Sequence, residues 1–429
     1  MKITILDGAL NSTLKSWKTY LHGLTAALEH KGHEVNHFNL KDNDLHYCTG
    51  CFKCWVQTPG ICTILDDNQK INRVIINSDL VLFASPLVMG FATSLLKKKM
   101  DRMIPLVHPY LTVEHGEVHH LPRYEKYPLF GLLVQPEKAD GEDTLTIVTQ
   151  IFSRTTRNIK SRLAFSATTS EPVQKIVERI ENAAQGKDRF EPIFRKKKLE
   201  QVGKITSMTI FNGSPRGRSG NTPILLQKIM DGFISVEGNT AEMNHLFQTK
   251  KRSEFAHAFE NAQCVLIGFP LYTDGMPGIV KEFIEGLEPF VKRKNNPPMA
   301  FLVQSGFPEG LHSRYVEQYL ISLTDRLNSP YLGTLVRGGC EGVRLQPENF
   351  NRKMFGALNA LGNQLGMQGG FEKESIGALC SLERYPKALI PLISLLEKTP
   401  MLQMYWSSQL KKNNVFNDRF ARPYEETID

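Results

Sequence analysis

No apolar run in this sequence approaches the roughly 20 residues needed to cross a bilayer. Its greasiest late stretch, 389–396, is interrupted by Pro391 and followed by Pro400. The first residues, Met-Lys-Ile-Thr-Ile-Leu-Asp, enter a strand-like run with neither a signal-peptide core nor a transit-peptide pattern. A cytoplasmic protein with no membrane partner is the expectation. Nor is there a nucleic-acid signature: the clusters Lys97-Lys98-Lys99 and Arg195-Lys196-Lys197-Lys198 lack the interleaved aromatics of a single-strand groove. The net charge of +8 is otherwise dispersed, and a mild positive field suits an anionic phosphorylated cofactor. No Ser/His/Asp or metal-hydrolase constellation stands out. No Gly-x-Gly-x-x-Gly turn follows a strand, which argues against a tightly held dinucleotide. The seven cysteines are not expected to form a disulfide framework in a reducing compartment.

What is present reads as two α/β domains. A chain of 429 residues exceeds one ordinary core. Strand patterns at 2–6, 33–40, 80–84, 129–134 and 162–165 alternate with helical ones at 14–30, 66–77, from 93 onward, and at 143–160. Such alternation predicts a five-stranded parallel sheet with helices on both faces. After a lapse the design repeats. Thr4-Ile-Leu-Asp-Gly corresponds to Thr209-Ile-Phe-Asn-Gly, and Val81-Leu-Phe-Ala-Ser-Pro-Leu to Val265-Leu-Ile-Gly-Phe-Pro-Leu. At that offset of 184, Lys97 falls on Lys281 and Pro105 on Pro289; Leu133-Val-Gln matches Leu302-Val-Gln further on. The expected organisation is a domain over 1–168, a linker over 169–203, a second copy over 204–383 and a helical tail over 384–429. In the tail, Leu389, Leu392, Ile393 and Leu396 lie at helical spacing, as if to pack on the two-domain body.

The copies differ where a parallel sheet binds ligands, at the carboxyl ends of its strands. Asn212-Gly-Ser-Pro-Arg-Gly-Arg-Ser-Gly-Asn-Thr222 runs from a strand into a helix. Unpaired amides at a helix start attract anions; Ser214, Ser219, Asn221 and Thr222 add short donors, and Arg216 adds a permanent charge. The first copy has Asp7-Gly-Ala-Leu-Asn-Ser-Thr instead. Its carboxylate would repel phosphate, so this loop reads as degenerate. After the third strand of the second copy comes Pro270-Leu-Tyr-Thr-Asp-Gly-Met-Pro-Gly. There Gly275 and Gly278 let a flat ring approach the backbone, and Tyr272 can stack on it. Ser305 and Gly306, after the next strand, would close the same mouth.

Only the first copy holds Cys48-x2-Cys51-x2-Cys54-x7-Cys62. Closely spaced thiolates can converge on a soft metal centre. A [4Fe–4S] cluster, tetrahedral zinc, a redox disulfide, and thiols that merely fill a loop beside Trp55 are the readings this spacing allows. Cys264, Cys340 and Cys380 are scattered, as ordinary buried thiols are.

The motifs Gly213-Ser-Pro-Arg…Ser219-Gly-Asn-Thr, Pro270-Leu-Tyr…Met276-Pro-Gly with Lys281, and the cysteine motif together resemble those of the flavodoxin-like NAD(P)H-dependent FMN reductases, in particular their iron–sulfur flavoprotein branch. The resemblance implies two tandem flavodoxin-like domains. It implies that Ser214, Arg216, Ser219, Asn221 and Thr222 hold the FMN phosphate, and that Pro270, Leu271, Tyr272, Thr273, Asp274 and Gly275 line the ring. The implied activity is transfer of electrons from NAD(P)H through FMN to a quinone, another flavin or a small electrophile, with the nicotinamide visiting as a substrate. The alternatives are a one-electron carrier, with FMN and an iron–sulfur cluster, that serves a protein partner, and a flavin-free interaction module. The chain departs from the family in having two domains, with the cysteines and the complete phosphate loop divided between them. That division implies one flavin per chain and an internal pseudo-dimer, open to further homo-oligomerisation, in which the cysteine loop faces the flavin of the second half.

Overall fold

The apolar runs of both copies become central strands of parallel sheets, because such strands are covered by helices on both faces. A computed structural model of the chain describes residues 1–10, 15–114, 116–186, 194–380, 382–396 and 400–426. It divides into two compact units, Met1–Pro192 with Pro386–Asp429, and Ile193–Tyr385.

The first unit runs β1 (Lys2–Asp7), α1 (Lys15–His30), β2 (Glu34–Asn39), α2 (Lys53–Val56), α3 (Asn68–Ile76), β3 (Leu80–Val88), β4 (Phe91–Ala92), α4 (Ser94–Asp101), β5 (Val107–Glu114), β6 (Glu117–Pro122), β7 (Leu129–Gln135), α5 (Glu142–Asn158), β8 (Leu163–Thr168) and α6 (Val173–Glu181). Its parallel strands lie in the order β2-β1-β3-β7-β8, with the short β4 folded back on β3. The hairpin β5–β6 forms a separate two-stranded sheet, which the sequence periodicity does not announce. The expected helix start at Leu14 lies outside the described residues, as do Asn11 to Thr13 of the degenerate loop.

Two stretches behave differently from expectation. Residues 173–181, helical by their period as expected over Glu171–Asn182 but placed in the linker, form α6, whose Ile176, Val177 and Ile180 join the core against Trp17, Leu21 and Leu24 of α1. Residues beyond the undescribed 187–193 belong to the second unit, where the Glu200 amide donates to the Tyr331 carbonyl at 3.0 Å and that of Val202 to Gly369 at 3.1 Å. The tail continues the first unit as α13 (Ile390–Leu396) and α14 (Pro400–Lys412), followed by a turn-rich stretch. Of its expected apolar stripe, Leu389 and Leu392 are 45% and 52% exposed and Ile393 is half-buried; the Leu396 side chain lies outside the described set. Trp406, Pro423 and Tyr424 make contacts described below, and Leu410 of α14 is 1% exposed.

The second unit repeats the order as β10-β9-β11-β12-β13. Its strands are β9 (Ser207–Asn212), β10 (Thr240–His245), β11 (Val265–Pro270), β12 (Met299–Gln304) and β13 (Tyr331–Arg337); its helices are α7 (Thr222–Ile234), α8 (Arg252–Glu260), α9 (Gly278–Glu285), α10 (Leu311–Leu327), α11 (Glu348–Gln368) and α12 (Lys373–Cys380). The internal repeat is thereby carried into backbone geometry. At the offset of 184, α4 falls on α9 end for end, and so do the single 3-10 turns that follow them, Ile104–Leu106 and Glu288–Phe290. Met89 and Gly90, with φ of 53° and 73°, turn β3 back on itself through the Leu87–Ala92 and Val88–Phe91 pairs. Thr273 and Asp274, with φ of 41° and 57°, do the same between Tyr272 and Gly275. Two successive positive φ values define the type I′ hairpin turn. Both copies are thus α/β domains of one flavodoxin-like topology. Among the described residues, no helix is long and apolar enough to cross a membrane.

Candidate functional site

In the second unit, β9, β11 and β12 are neighbours, so the loops leaving their carboxyl ends share one edge. Hydrogen bonds tie them together. The Gly213 amide donates to the Gly268 carbonyl at 2.7 Å, and the Leu271 amide to the Gln304 carbonyl at 2.8 Å. The Gln304 side-chain amide donates to the Thr222 hydroxyl at 3.1 Å. The loops expected to hold a phosphate (Ser214, Arg216, Ser219, Asn221, Thr222), to line a ring (Pro270 to Gly275) and to close the mouth (Ser305, Gly306) are therefore assembled at one place.

Local folding explains the phosphate loop. Asn212 ends β9 and accepts the Ser214 amide at 3.0 Å, while its side-chain nitrogen reaches the His245 ring at 2.9 Å. A single 3-10 turn, Gly217–Ser219, leads to α7 with Asn221 as its cap. Gly220 lies against the Ser214 hydroxyl, and a Cβ there would come within 2.4 Å of it. Among the described residues, the Asn221 and Thr222 amides have no internal partner, as expected of the first turn of a helix.

Two donors of the cradle are engaged by a residue that the sequence did not single out. The Arg216 guanidinium donates to Glu341 Oε1 at 3.2 and 3.3 Å, and the Asn221 side chain donates to the Glu341 carbonyl at 3.1 Å. Arg344 joins the same loop, its amide donating to Asn221 Oδ1 at 3.2 Å and its guanidinium to the Ser219 carbonyl. Glu341 also lies beside Gly306, 3.9 Å from where its Cβ would stand. Burial raises the Glu341 carboxyl above its ordinary range, and Arg216 opposes that shift. Only contact across the fold reveals this residue; it belongs to no local motif.

The first unit is built differently at the corresponding edge. Asp7 Oδ1 accepts the Ala9 amide at 3.0 Å and the Trp17 indole N–H at 2.9 Å. Both side chains are buried, Trp17 completely. The turn amides of Met89 and Gly90 donate to the Glu137 carboxylate at 3.3 Å each. Carboxylates hold the positions where an anion would be wanted.

The four cysteines line one pocket enclosing about 360 Å³ including its open mouth, together with Gly50, Phe52, Ile64, Arg102, Ile104 and Pro105. The loop winds round it with Gly50 and Phe52 both in left-handed conformation. The thiols are free, and among the described residues no three His, Cys, Asp or Glu groups close on a single ion. Burial pushes Cys48 up to about 12. Cys54 is driven well above the ordinary thiol value by burial and by the other three cysteines, with Arg123 opposing. Arg102, under the pocket, makes a bidentate pair with Asp66 at 2.8 and 2.9 Å. That pair holds Asp66 below its ordinary value although burial works the other way. Fully buried Lys99 donates to the side chains of Asn68 at 3.0 Å and Asn72 at 2.6 Å. Burial, then Arg102, lower its pKa. From the tail, Trp406 meets Phe52 and Trp55 edge-on at 5.3 Å, covering a stacked pair. Cys264, Cys340 and Cys380 are buried elsewhere.

Residues 1–115 match the sequence model of the family described as NADPH-dependent FMN reductase. An iron–sulfur flavoprotein of Archaeoglobus fulgidus is 36% identical over 90 residues, 21% of this chain and 40% of its own length. An iron–sulfur flavoprotein of Methanocaldococcus jannaschii is 34% identical over 80 residues, 19% of this chain and again 40% of its own length. The chain thus spans about 40% of the length of these curated relatives. The solved structure of an FMN-dependent NADH-azoreductase from Bacillus anthracis is matched over its whole length and 38% of this chain, at 14% identity and a TM-score of 0.31. Over residues 1–115, then, the chain is similar to the NADPH-dependent FMN reductases, the family that its motifs resemble.

Proposed function

We propose that the protein is an FMN-dependent oxidoreductase that takes electrons from NAD(P)H and passes them to a quinone, a flavin or another small acceptor. The observation that carries this reading is the convergence of the β9, β11 and β12 loops on one edge, with the Asn221 and Thr222 amides open at the start of α7. These residues fit a phosphate: the helix start supplies N–H donors, Gly220 leaves room beside the Ser214 hydroxyl, and Arg216 supplies charge. The type I′ turn at Thr273 and Asp274 fixes the backbone beside which a flat ring would lie. When bound, FMN would supply the hydride chemistry; the chain supplies the anion cradle, the rigid turn and the orientation of both substrates. The Asp7 carboxylate, held by the Trp17 indole at the end of β1, supports one flavin per chain, in the second unit. Free thiols suit a cytoplasmic setting.

The cysteine pocket favours a second component of this reading, and the one-electron carrier as its alternative. Four cysteines lining one pocket suit a [4Fe–4S] cage with one thiolate per iron. Cys48, Cys51, Cys54 and Cys62 would hold it, and it would store and pass single electrons.

Titration of apoprotein with FMN tests the flavin site. Arg216→Ala and Gly220→Ala are each expected to weaken binding by about tenfold to a hundredfold, the 1.5–3 kcal/mol typical of a hydrogen bond to a charged group. NAD(P)H oxidation with a small quinone should fall in parallel. Unchanged FMN affinity in both variants would remove the flavin from the second unit, and wild-type turnover near zero with flavin bound would favour the carrier.

A further inference from the structure

Arg123 is 2% exposed, yet no carboxylate pairs with it among the described residues. Its Nε donates to the Pro105 carbonyl at 2.9 Å, and Nη1 donates to the carbonyls of Arg419 and Ala421 at 3.3 and 2.9 Å. The second terminal nitrogen, Nη2, is buried with no hydrogen-bond partner. A permanent charge in this state is costly: burying an ion loses several kcal/mol of hydration, on the order of what only an opposite charge can return. The surroundings name where that opposite charge belongs. Pro105 itself lines the cysteine pocket. The Arg123 stem packs by Gly60, 3.4 Å from where a Cβ would stand, and the Gly60 amide donates to the Cys54 carbonyl at 2.9 Å. Arg102 has an acid of its own in Asp66; Arg123 has none.

We propose that Arg123 is the fixed counter-charge of an anionic four-thiolate iron–sulfur centre in the Cys48–Cys62 pocket, and that the tail residues Arg419 and Ala421 hold it in place. The inference rests on the cluster reading above and adds to it a positioning residue contributed jointly by β6's exit and the tail. The tail is shaped for this task. Pro423 sits against Gly60, where φ is +89° and a Cβ would come within 2.8 Å of the proline ring, so the Cys54–Cys62 turn and the tail can meet only at glycine. The Tyr424 carbonyl accepts from Asn77 at 2.8 Å on the next helix, locking the same stretch. A cation here favours the electron-rich state of the centre, so its removal must make reduction harder.

The test uses full-length protein purified without oxygen, with iron and acid-labile sulfide assays and a redox titration followed by electron paramagnetic resonance. Wild type is expected to hold iron and sulfide. Arg123→Gln is expected to keep them but to move the midpoint to a more negative potential by on the order of tenfold in the reduction equilibrium, about 59 mV for a one-electron couple. Arg123→Lys, which keeps the charge but not the planar fork, should stay within about threefold of wild type. Wild type without iron would sink the cluster reading and this inference with it. Wild type with iron and an unmoved potential in R123Q, or equal shifts in R123Q and R123K, would overturn the counter-charge alone. If R123Q is folded but fails to load iron while R123K loads, charge is what the centre needs, and the proposal stands. If R123Q does not fold, R123K decides: a shift of tenfold despite the retained charge overturns it.

Discussion

Asp7 and Asn212 end the first strands of the two sheets at equivalent positions, and each side-chain oxygen accepts the amide two residues on. From there the copies part. Asp7 accepts from the Trp17 indole and meets the His37 ring at 3.7 Å with its other oxygen, whereas the Asn212 side-chain nitrogen reaches the His245 ring and the loop carbonyl of Gly217. Behind these loops the scaffold is the same in both. Each third strand ends in a two-residue turn of positive φ, and each following helix carries a fully buried lysine paired with an acid four residues on, Lys97 with Asp101 and Lys281 with Glu285. Each fourth strand ends in a glutamine that donates to a hydroxyl near the start of the unit's first helix, Gln135 to Ser16 and Gln304 to Thr222. The copy with Asp7 has kept these features as faithfully as the copy with Asn212. Lys281, part of the motif that resembles a flavin reductase, is therefore better understood as scaffold than as ligand contact.

The largest effect is expected from breaking that shared scaffold. Lys97→Met and Lys281→Met should each destabilise their unit by about 3–5 kcal/mol, the cost of removing one partner of a buried ion pair, read by denaturant unfolding. Removing the acid as well, as Lys281→Met with Glu285→Leu, should recover most of it. A large loss in one unit and none in the other would show that the two lysines are not equivalent.

A middle-sized effect should come from the carboxylate that now holds Arg216. Burial raises the Glu341 pKa, so the group is neutral below that value and becomes anionic beside the cradle as pH rises through it. FMN affinity of the wild type should fall over that rise, since the carboxylate both repels phosphate and keeps Arg216. Glu341→Gln should bind FMN on the order of threefold to tenfold more tightly at the alkaline end and lose this pH limb, as followed by flavin fluorescence. A steeper limb in the variant would contradict that role.

The smallest effect belongs to the turns. A β-branched residue at φ of 41° is strained, and type I′ turns favour asparagine first. Thr273→Asn should stabilise the second unit by roughly 0.5–1 kcal/mol. The same change at Met89 should instead destabilise the first unit, because that side chain is 1% exposed. A gain at both sites would mean that turn strain outweighs burial.

Much of this was legible in the sequence because it is local. The strand-to-helix loops, the cysteine spacing and the repeat all lie within windows where composition and period speak directly. Long-range contacts were not legible. Glu341 is 125 positions from Arg216, and the tail carbonyls are nearly 300 from Arg123, so no spacing connects them. The hairpin β5–β6 was hidden because Pro109 and runs of histidine blur its alternation. The turns at Met89 and Thr273 lack the Asn-Gly signal that usually marks their geometry. In the tail, Leu389 and Leu392 have helical period but face outward, whereas Trp406, Pro423 and Tyr424, which follow no period, make contacts with the first unit.

That docking has a consequence for synthesis. The first unit is discontinuous, its last part being Pro386–Asp429, whereas Ile193–Tyr385 is one continuous piece. A ribosome delivers the chain from its amino end, and domains tend to fold as they emerge. The first unit therefore cannot be completed until residues 386–426 have been made, and until then its cysteine loop lacks Trp406, Pro423 and the carbonyls that bind Arg123.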